Sequence, residues 1–135
     1  MKIKLSDIPE EGLTCSESFD PARMNLQTPE LNFLGAPQVI AIFHRVRDTL
    51  TAQVEARGDL ELVCSRCLET YRLPYDGRFN LCFDVKGRVA LDVTDDIRQE
   101  ILLSYPVKFL CKEDCLGLCP QCGENRNWGA CRCHQ

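Results

Sequence analysis

The stretch VIAIFHRVRDTLTAQVEARG, residues 39–58, gives the strongest structural signal in this sequence. Apolar side chains recur in it at every second position, with a polar interruption in the middle. These positions are Val39, Ala41, Phe43, Leu50, Ala52 and Val54. Successive side chains of a β-strand point to opposite faces, so this period predicts strands with one buried face.

Further strand candidates follow this stretch. They are DLELVC (59–64), ETYRLPY (69–75) and RFNLCFDV (78–85). The segment SRCL (65–68) and the turn signal at Asp76–Gly77 are predicted to separate them. Short alternating strands at regular spacing favour an antiparallel sheet or a small barrel.

The residues before position 38 give weaker signals. MKIKL (1–5) predicts a short strand that stops before Pro9, and LTCSESF (13–19) is a second strand candidate. Residues 20–37 contain several prolines and glycines without a steady period, so an irregular segment is expected there.

The segment VTDDIRQEILLSYP, residues 93–106, changes to a helical period. Thr94 is the predicted N-cap, Asp95 and Asp96 suit the first turn, and Pro106 is expected to end the helix. Ile97, Ile101 and Tyr105 would then lie on one face. This pattern predicts a helix at about residues 94–105 that covers an open face of the sheet.

Ten cysteines distinguish the chain, and eight of them occur in close pairs. The pairs are Cys64 and Cys67, Cys111 and Cys115, Cys119 and Cys122, and Cys131 and Cys133. A C-x2-C turn brings two sulfur atoms to one side of the backbone, and two such pairs complete a tetrahedral zinc site. The expected sites are therefore Cys119/Cys122/Cys131/Cys133 and Cys64/Cys67/Cys111/Cys115. In the segment CPQCG, Gly123 tolerates the positive φ that follows such a turn.

Other fates for the cysteines stay open. The tail cysteines could be disulfides or free thiols, and Cys64 with Cys67 could be a redox pair, although that motif favours a helix N-terminus. His134 could replace a cysteine ligand. Isolated Cys15 and Cys82 are expected to be small buried side chains. Without metal, the tail has too few apolar residues to fold alone.

Together these patterns predict an α+β protein. It would have a mainly antiparallel, partly closed β-sheet, one covering helix and a C-terminal zinc ribbon-like tail. The expected division is a β-rich domain over residues 1–109 and a cysteine-rich, zinc-binding tail over residues 110–135.

Composition and motifs limit the possible functions. The chain has 135 residues and a net charge of −4, and no segment concentrates positive charge. Tight binding to arbitrary nucleic acid requires a basic face. No run of apolar residues is long enough for a membrane span, and the N-terminus has no apolar core of a secretion signal, so a reducing cytosol is expected. Motifs of phosphate loops, serine hydrolases and zinc proteases are absent, so no catalytic residue or small-molecule substrate is predicted.

A family resemblance rests on the cysteine segments. CSRCLE (64–69), then an acidic helix, LCKEDCLGLCPQCGENRN (110–127) and a terminal CRC resemble the YceD family of large ribosomal RNA subunit accumulation proteins. The resemblance spans roughly residues 38–135, and DCLGLCPQCGEN is its most specific part. It implies a non-enzymatic factor that large-subunit ribosomal RNA needs for normal accumulation in bacteria and plastids. Its partner would be that RNA or a pre-ribosomal particle, reached directly or through a ribosomal protein.

Two other functions stay open at this point. One is a zinc-stabilised protein-interaction module without an RNA role, and the other is a thiol oxidoreductase that uses Cys64 and Cys67. Basic residues beside the predicted ligands are candidates for phosphate contacts, although solvated surface charges are the simpler interpretation. They are Arg66, Lys112, Arg126 and Arg132. Trp128 and Phe109 are candidates for stacking on a base or for packing against the tail.

Overall fold

Two long strands form the hairpin on which the rest of the chain is built. The structure, a computed structural model, describes residues 1–128. Its strands are β1 Lys2–Lys4, β2 Leu13–Ser18, β3 Leu31–Phe33, β4 Gln38–Val46, β5 Thr49–Val63, β6 Thr70–Asp84 and β7 Ala90–Asp92. The single α-helix in this part of the chain, α1, spans Thr94–Leu103, and 3₁₀ turns occupy Leu5–Asp7 and Arg126–Trp128.

The main sheet has five strands and is antiparallel. Strand β5 pairs with β6 along its whole length on one edge, and on its other edge with β4 and then with β3. Strand β2 adds to β4, while β1 and β7 form a separate two-stranded sheet. Within residues 1–128, the outer strands β2 and β6 do not pair with each other. The α+β class and the antiparallel pairing are confirmed, but the sheet is not closed, so the predicted partial closure is not confirmed.

The apolar residues that recur at every second position in the sequence form the buried face of the sheet. On β5 the alternation continues without a break through Ala56, Leu60 and Leu62, all nearly inaccessible to solvent. Ile97 and Ile101 of α1 join the same buried cluster, so the predicted covering helix is confirmed. The helix N-cap is Val93 rather than Thr94; the Asp92 side chain instead accepts the Thr94 backbone N–H at 3.0 Å.

The predicted turn at Asp76–Gly77 is wrong. Both residues lie inside β6, where Asp76 pairs with Arg57 and Gly77 with Ala56. Gly77 is needed there for space, because a Cβ atom at this position would come within 2.4 Å of the Tyr75 hydroxyl oxygen. A glycine inside a strand often marks such a close approach rather than a turn.

Three smaller expectations also change. Residues 20–37 include the strand β3, which is too short to give a periodic signal. The helix ends at Leu103, and the Tyr105 hydroxyl beyond it donates to the Leu26 carbonyl oxygen at 2.7 Å. Cys82 is exposed on β6 rather than buried, because the parity of that strand turns it to the outer face, whereas Cys15 is half-buried against the core.

No helix within residues 1–128 is both long and apolar enough to cross a membrane.

Candidate metal centre

The turn between β5 and β6 carries the first C-x2-C pair, so Cys64 and Cys67 lie at the tip of a hairpin, where SRCL was predicted to separate two strands. The backbone N–H of Leu68 donates to the Cys64 carbonyl oxygen at 2.9 Å, and the Cys64 N–H donates to the Glu69 carbonyl oxygen at 2.9 Å. Leu68 takes a φ of 63°, an unusual value for a residue with a side chain. The turn thereby reverses the chain within a few residues and leaves both sulfur atoms on one side.

A loop after α1 carries Cys111 and Cys115 to this hairpin tip. The Ser65 N–H donates to the Phe109 carbonyl oxygen at 2.7 Å, and the Arg66 guanidinium donates to the Cys115 carbonyl oxygen at 3.0 Å. Gly117, at a φ of 77°, passes so close to the tip that an added Cβ would lie 3.3 Å from the Arg66 carbonyl oxygen. Backbone contacts therefore hold the loop against the tip on either side of Cys115.

The four sulfur atoms of Cys64, Cys67, Cys111 and Cys115 form one cluster. All of them lie within 4.8 Å of one another. The Cys64 and Cys115 sulfurs are 3.6 Å apart, and the Cys67 and Cys111 sulfurs are 3.7 Å apart. A disulfide would require about 2.05 Å, whereas sulfurs around a tetrahedral zinc with Zn–S of about 2.3 Å are about 3.8 Å apart. The spacing therefore fits four ligands of one metal ion.

Backbone and amide donors already favour the thiolate form at two of these cysteines. Burial would raise the pKa of Cys64, but backbone N–H groups of Cys67, Cys111 and Arg66 outweigh it and lower that pKa to about 6. The Asn127 side-chain amide lies 3.3 Å from the Cys115 sulfur and is the main cause of that thiol's lowered pKa. Metal ligands must be deprotonated, and N–H donors stabilise the negative sulfur.

The other two thiols, those of Cys67 and Cys111, have raised pKa values and are therefore harder to ionise. Burial raises the pKa of Cys67, and burial together with the neighbouring thiols raises the pKa of Cys111 to about 12. Burial also raises the pKa of the nearby Tyr71 hydroxyl, and charge on Cys64 and Cys111 adds to this. Four thiols at this spacing therefore favour a bound cation, which would stabilise all four thiolates at once.

The second C-x2-C turn, Cys119–Cys122, repeats the backbone geometry of the first. The Gly123 N–H donates to the Cys119 carbonyl oxygen at 2.9 Å, and the Cys119 N–H donates to the Glu124 carbonyl oxygen at 2.8 Å. Gly123 has a φ of 77°, which confirms the positive φ expected of it. The remaining predicted ligands, Cys131 and Cys133, and the alternative ligand His134 lie outside the described residues.

The basic and aromatic candidates have different surroundings. Arg66 holds the loop at Cys115, so its guanidinium has a structural contact, whereas Lys112 and Arg126 are exposed. Phe109 is half-buried against the core, and Trp128 is exposed. Arg132 lies outside the described residues.

Sequence reasoning missed Asn127. Its amide donates to the Cys115 sulfur, and its side-chain oxygen accepts the Leu116 N–H at 2.9 Å. No periodic pattern indicates such a role, because the contact spans twelve residues of irregular chain. The sequence CGENRN does show several polar side chains after the second turn, which was the available signal.

Comparison with known proteins gives one family. The family model described as "Large ribosomal RNA subunit accumulation protein YceD" matches residues 85–135. The match confirms the resemblance to the YceD family over this C-terminal part, which is less than half of the chain. It includes Cys111 and Cys115 but not Cys64 and Cys67, which the fold brings to them. No curated protein and no solved structure matches the chain.

Proposed function

We propose that this chain is a zinc-binding, non-enzymatic ribosome biogenesis factor that supports the accumulation or processing of large-subunit ribosomal RNA. The observation that carries the proposal is the four-sulfur cluster, in which Cys111 and Cys115 lie within the family match and Cys64 and Cys67 lie outside it. The description of that family names the large ribosomal RNA subunit. Four clustered thiols, three buried and that of Cys111 half-buried, favour a closed structural site over an open catalytic one.

Zinc is the proposed metal because of the ligand set. Thiolates are soft ligands, and four of them in a tetrahedral arrangement are typical of zinc or of iron–sulfur centres. A single ion fits the cluster better than a multi-iron cluster, because sulfur pairs at 3.6 and 3.7 Å already match the edge of a tetrahedron around one ion. The ion would bind Cys64, Cys67, Cys111 and Cys115 and join the hairpin tip to the loop after α1.

A second zinc is proposed at Cys119, Cys122, Cys131 and Cys133. The support is the second turn, whose two hydrogen bonds and positive φ match those of the first turn. In this proposal residues 1–109 are the β-rich domain and residues 110–135 are the zinc-binding tail. The first ion then links the two parts, and the second orders the tail itself.

The proposed partner is large-subunit ribosomal RNA or a pre-ribosomal particle, contacted directly or through a ribosomal protein, in the bacterial cytoplasm. With a net charge of −4, the chain should bind arbitrary RNA weakly. Recognition would then depend on a local surface rather than on overall charge. No small-molecule substrate is proposed.

A thiol oxidoreductase is the main alternative from the enzyme class. The lowered pKa of Cys64 beside the raised pKa of Cys67 resembles the asymmetry of a reactive C-x2-C pair. Both thiols are buried, however, with exposed fractions of 0% and 4%, and two further cysteines contact them. A substrate disulfide could not reach Cys64, so the structural role is the better supported of the two.

Two measurements on the full chain test the proposal. Native mass spectrometry of protein made without chelator should show two zinc ions, and the thiols should react slowly with a disulfide reagent. The tagged protein should also co-purify with large-subunit precursor particles. Cys67→Ser should reduce this association, while the matched control Cys82→Ser, which alters an exposed cysteine outside the cluster, should leave it unchanged.

The outcomes separate the alternatives. Zinc without any association with ribosomal particles would favour a protein-interaction module with no RNA role. Rapid thiol–disulfide exchange with no bound metal would favour the oxidoreductase.

A further inference from the structure

A pocket of about 310 Å³ opens beside the metal centre. Two proposed zinc ligands, Cys67 and Cys111, contribute to its lining, and Trp128 contributes an aromatic ring. This volume lies at the lower end of the range for small-ligand sites and suits one flat, ring-sized group rather than a large molecule. The pocket therefore depends on the same loops that the metal would hold together.

Trp128 is unusually exposed for its residue type. Three quarters of its surface, 75%, is accessible to solvent. Its backbone is nevertheless constrained, because its N–H donates to the Asn125 carbonyl oxygen at 3.2 Å in a 3₁₀ turn. A tryptophan held in this way at a pocket offers a flat ring for stacking, and stacking on aromatic side chains is the usual way in which proteins hold unpaired bases.

Polar groups of both kinds complete the pocket. Glu69 supplies a carboxylate that can accept hydrogen bonds from an exocyclic amine, and Lys112 supplies an ammonium donor. Asn125 and Thr70 also line the pocket. An aromatic ring beside donors and acceptors can bind both the face and the edge of a nucleobase.

Local charge favours a base over the phosphate backbone. Within residues 106–128 the three basic side chains are balanced by three acidic ones. They are Lys108, Lys112 and Arg126, and Glu113, Asp114 and Glu124. A zinc ion with four thiolates would add a charge of about −2. This surface would not attract a polyanion strongly, so binding would have to come mainly from stacking and hydrogen bonds to the base.

We infer that this pocket binds one unpaired base of an RNA strand, stacked on Trp128 and hydrogen-bonded at its edge by Glu69 and Lys112. The inference rests on the proposed function and adds to it the class of RNA contact. The recognised element is a single-stranded nucleotide, not a duplex, because a paired and stacked base cannot enter the pocket.

The chain has one tryptophan, so its fluorescence reports on this pocket alone. The zinc-loaded full chain would be titrated with single-stranded RNA hexamers of A, C, G or U, and with a blunt 12-base-pair RNA duplex. Saturable quenching by at least one hexamer and none by the duplex is expected. The affinity should fall only weakly with salt, with a log–log slope of about −0.7 if one phosphate is contacted.

Variants then test the assigned contacts by anisotropy of a labelled hexamer. Trp128→Ala should weaken binding roughly ten- to hundredfold, and Trp128→Phe should restore part of that loss, because stacking on an aromatic ring carries the affinity. Glu69→Gln should change which base is preferred. Val107→Ala is the matched control, since Val107 is an exposed apolar residue outside the pocket lining. Every variant must keep the parental zinc content.

Several results would overturn the inference. They are equal quenching by duplex and single strands, no quenching by any hexamer, or unchanged hexamer affinity in Trp128→Ala. If no hexamer binds the parent protein while precursor particles still co-purify with it, the pocket assignment fails and the proposed function stands. If neither RNA nor particles bind the parent protein, both fail.

Discussion

The two C-x2-C turns of this chain have nearly the same backbone but very different support. In each turn a residue with positive φ follows the second cysteine and donates to the carbonyl oxygen of the first at 2.9 Å. The first cysteine of each turn also donates to the carbonyl oxygen five residues later, at 2.9 and 2.8 Å. Local geometry suited to metal binding is therefore present twice.

The surroundings of the two turns differ. The Cys64–Cys67 turn closes a hairpin of two 15-residue strands whose inner face belongs to the core. The Cys119–Cys122 turn is closed by a single bridge between Leu118 and Asn125. The first turn is thus held by a folded sheet, whereas the second turn is proposed to depend mainly on a bound metal. Metal loss should therefore affect the two turns unequally.

The largest effect is expected from Cys122→Ser, which removes a proposed ligand from the less supported turn. Residues 116–135 contain few apolar side chains, mainly Leu116, Leu118, Trp128 and Ala130. Their burial would stabilise the tail by several kcal/mol at about 25 cal/mol per Å². Ordering twenty residues costs about 30 kcal/mol at roughly 1.5 kcal/mol each. The variant should therefore lose one zinc and expose the tail to proteolysis, while the strands stay intact.

Hydrogen exchange provides the readout for Cys122→Ser. Amides of the last twenty residues should lose protection, and those of β4, β5 and β6 should keep it. Tail amides as protected as in the parent would mean that metal does not order the tail.

Cys64→Ser is the matching change in the supported turn, and a smaller loss of structure is expected. One zinc should again be lost. The loop at Cys111–Cys115 should then detach from the hairpin tip, because these two cysteines would lose the ion that they are proposed to share with Cys64 and Cys67. The β5–β6 ladder should persist, since it is held by backbone pairing and core burial. Circular dichroism and zinc content measure both results, with Cys15→Ser as the control. Unfolding of the whole sheet would contradict the proposed difference between the turns.

Gly123→Ala tests how far the second C-x2-C turn depends on its positive φ, because this change adds backbone strain alone. An added Cβ at this position meets no atom within 4 Å, but the φ of 77° disfavours any side chain by roughly 1–2 kcal/mol. Zinc affinity of the tail should fall about tenfold, while the ion at the hairpin stays bound. A competition titration with a chelator measures the two affinities. An unchanged tail affinity would show that the positive φ is not required there.

Leu68→Gly should produce the smallest effect. Leu68 adopts the same conformation with a side chain that is 62% exposed, so glycine removes strain. The greater freedom of glycine in the unfolded chain, worth about 0.5–1 kcal/mol, offsets most of this gain. The free energy of unfolding should change by less than about 1 kcal/mol in denaturant titrations. A loss of several kcal/mol would mean that the Leu68 side chain has a role beyond the turn.

Sequence patterns that repeat locally predicted much of this molecule. The period of two indicated β4 and β5, the helical period indicated α1, and the spacing of cysteines indicated both turns. The sequence also predicted the close approach of Cys64 and Cys67 to Cys111 and Cys115. Each pair supplies only two of the four ligands of a tetrahedral site, so each needs a second pair. That a metal binds them stays a proposal.

Features that depend on distant contacts could not be predicted in the same way. Asp76–Gly77 has the composition of a turn, but 15 consecutive pairs with β5 keep it in a strand. Cys82 was expected inside, yet strand parity places it outside. Arg66 and Asn127 support Cys115 through contacts that only the folded chain creates.

X-ray absorption at the zinc edge of Cys122→Ser is the sharpest test of the four-sulfur site, because this variant isolates the cluster at the hairpin tip. One zinc per chain is expected, bound by four sulfur atoms at about 2.3 Å. Absence of zinc, or a first shell with nitrogen or oxygen in place of any of the four sulfurs, would contradict it.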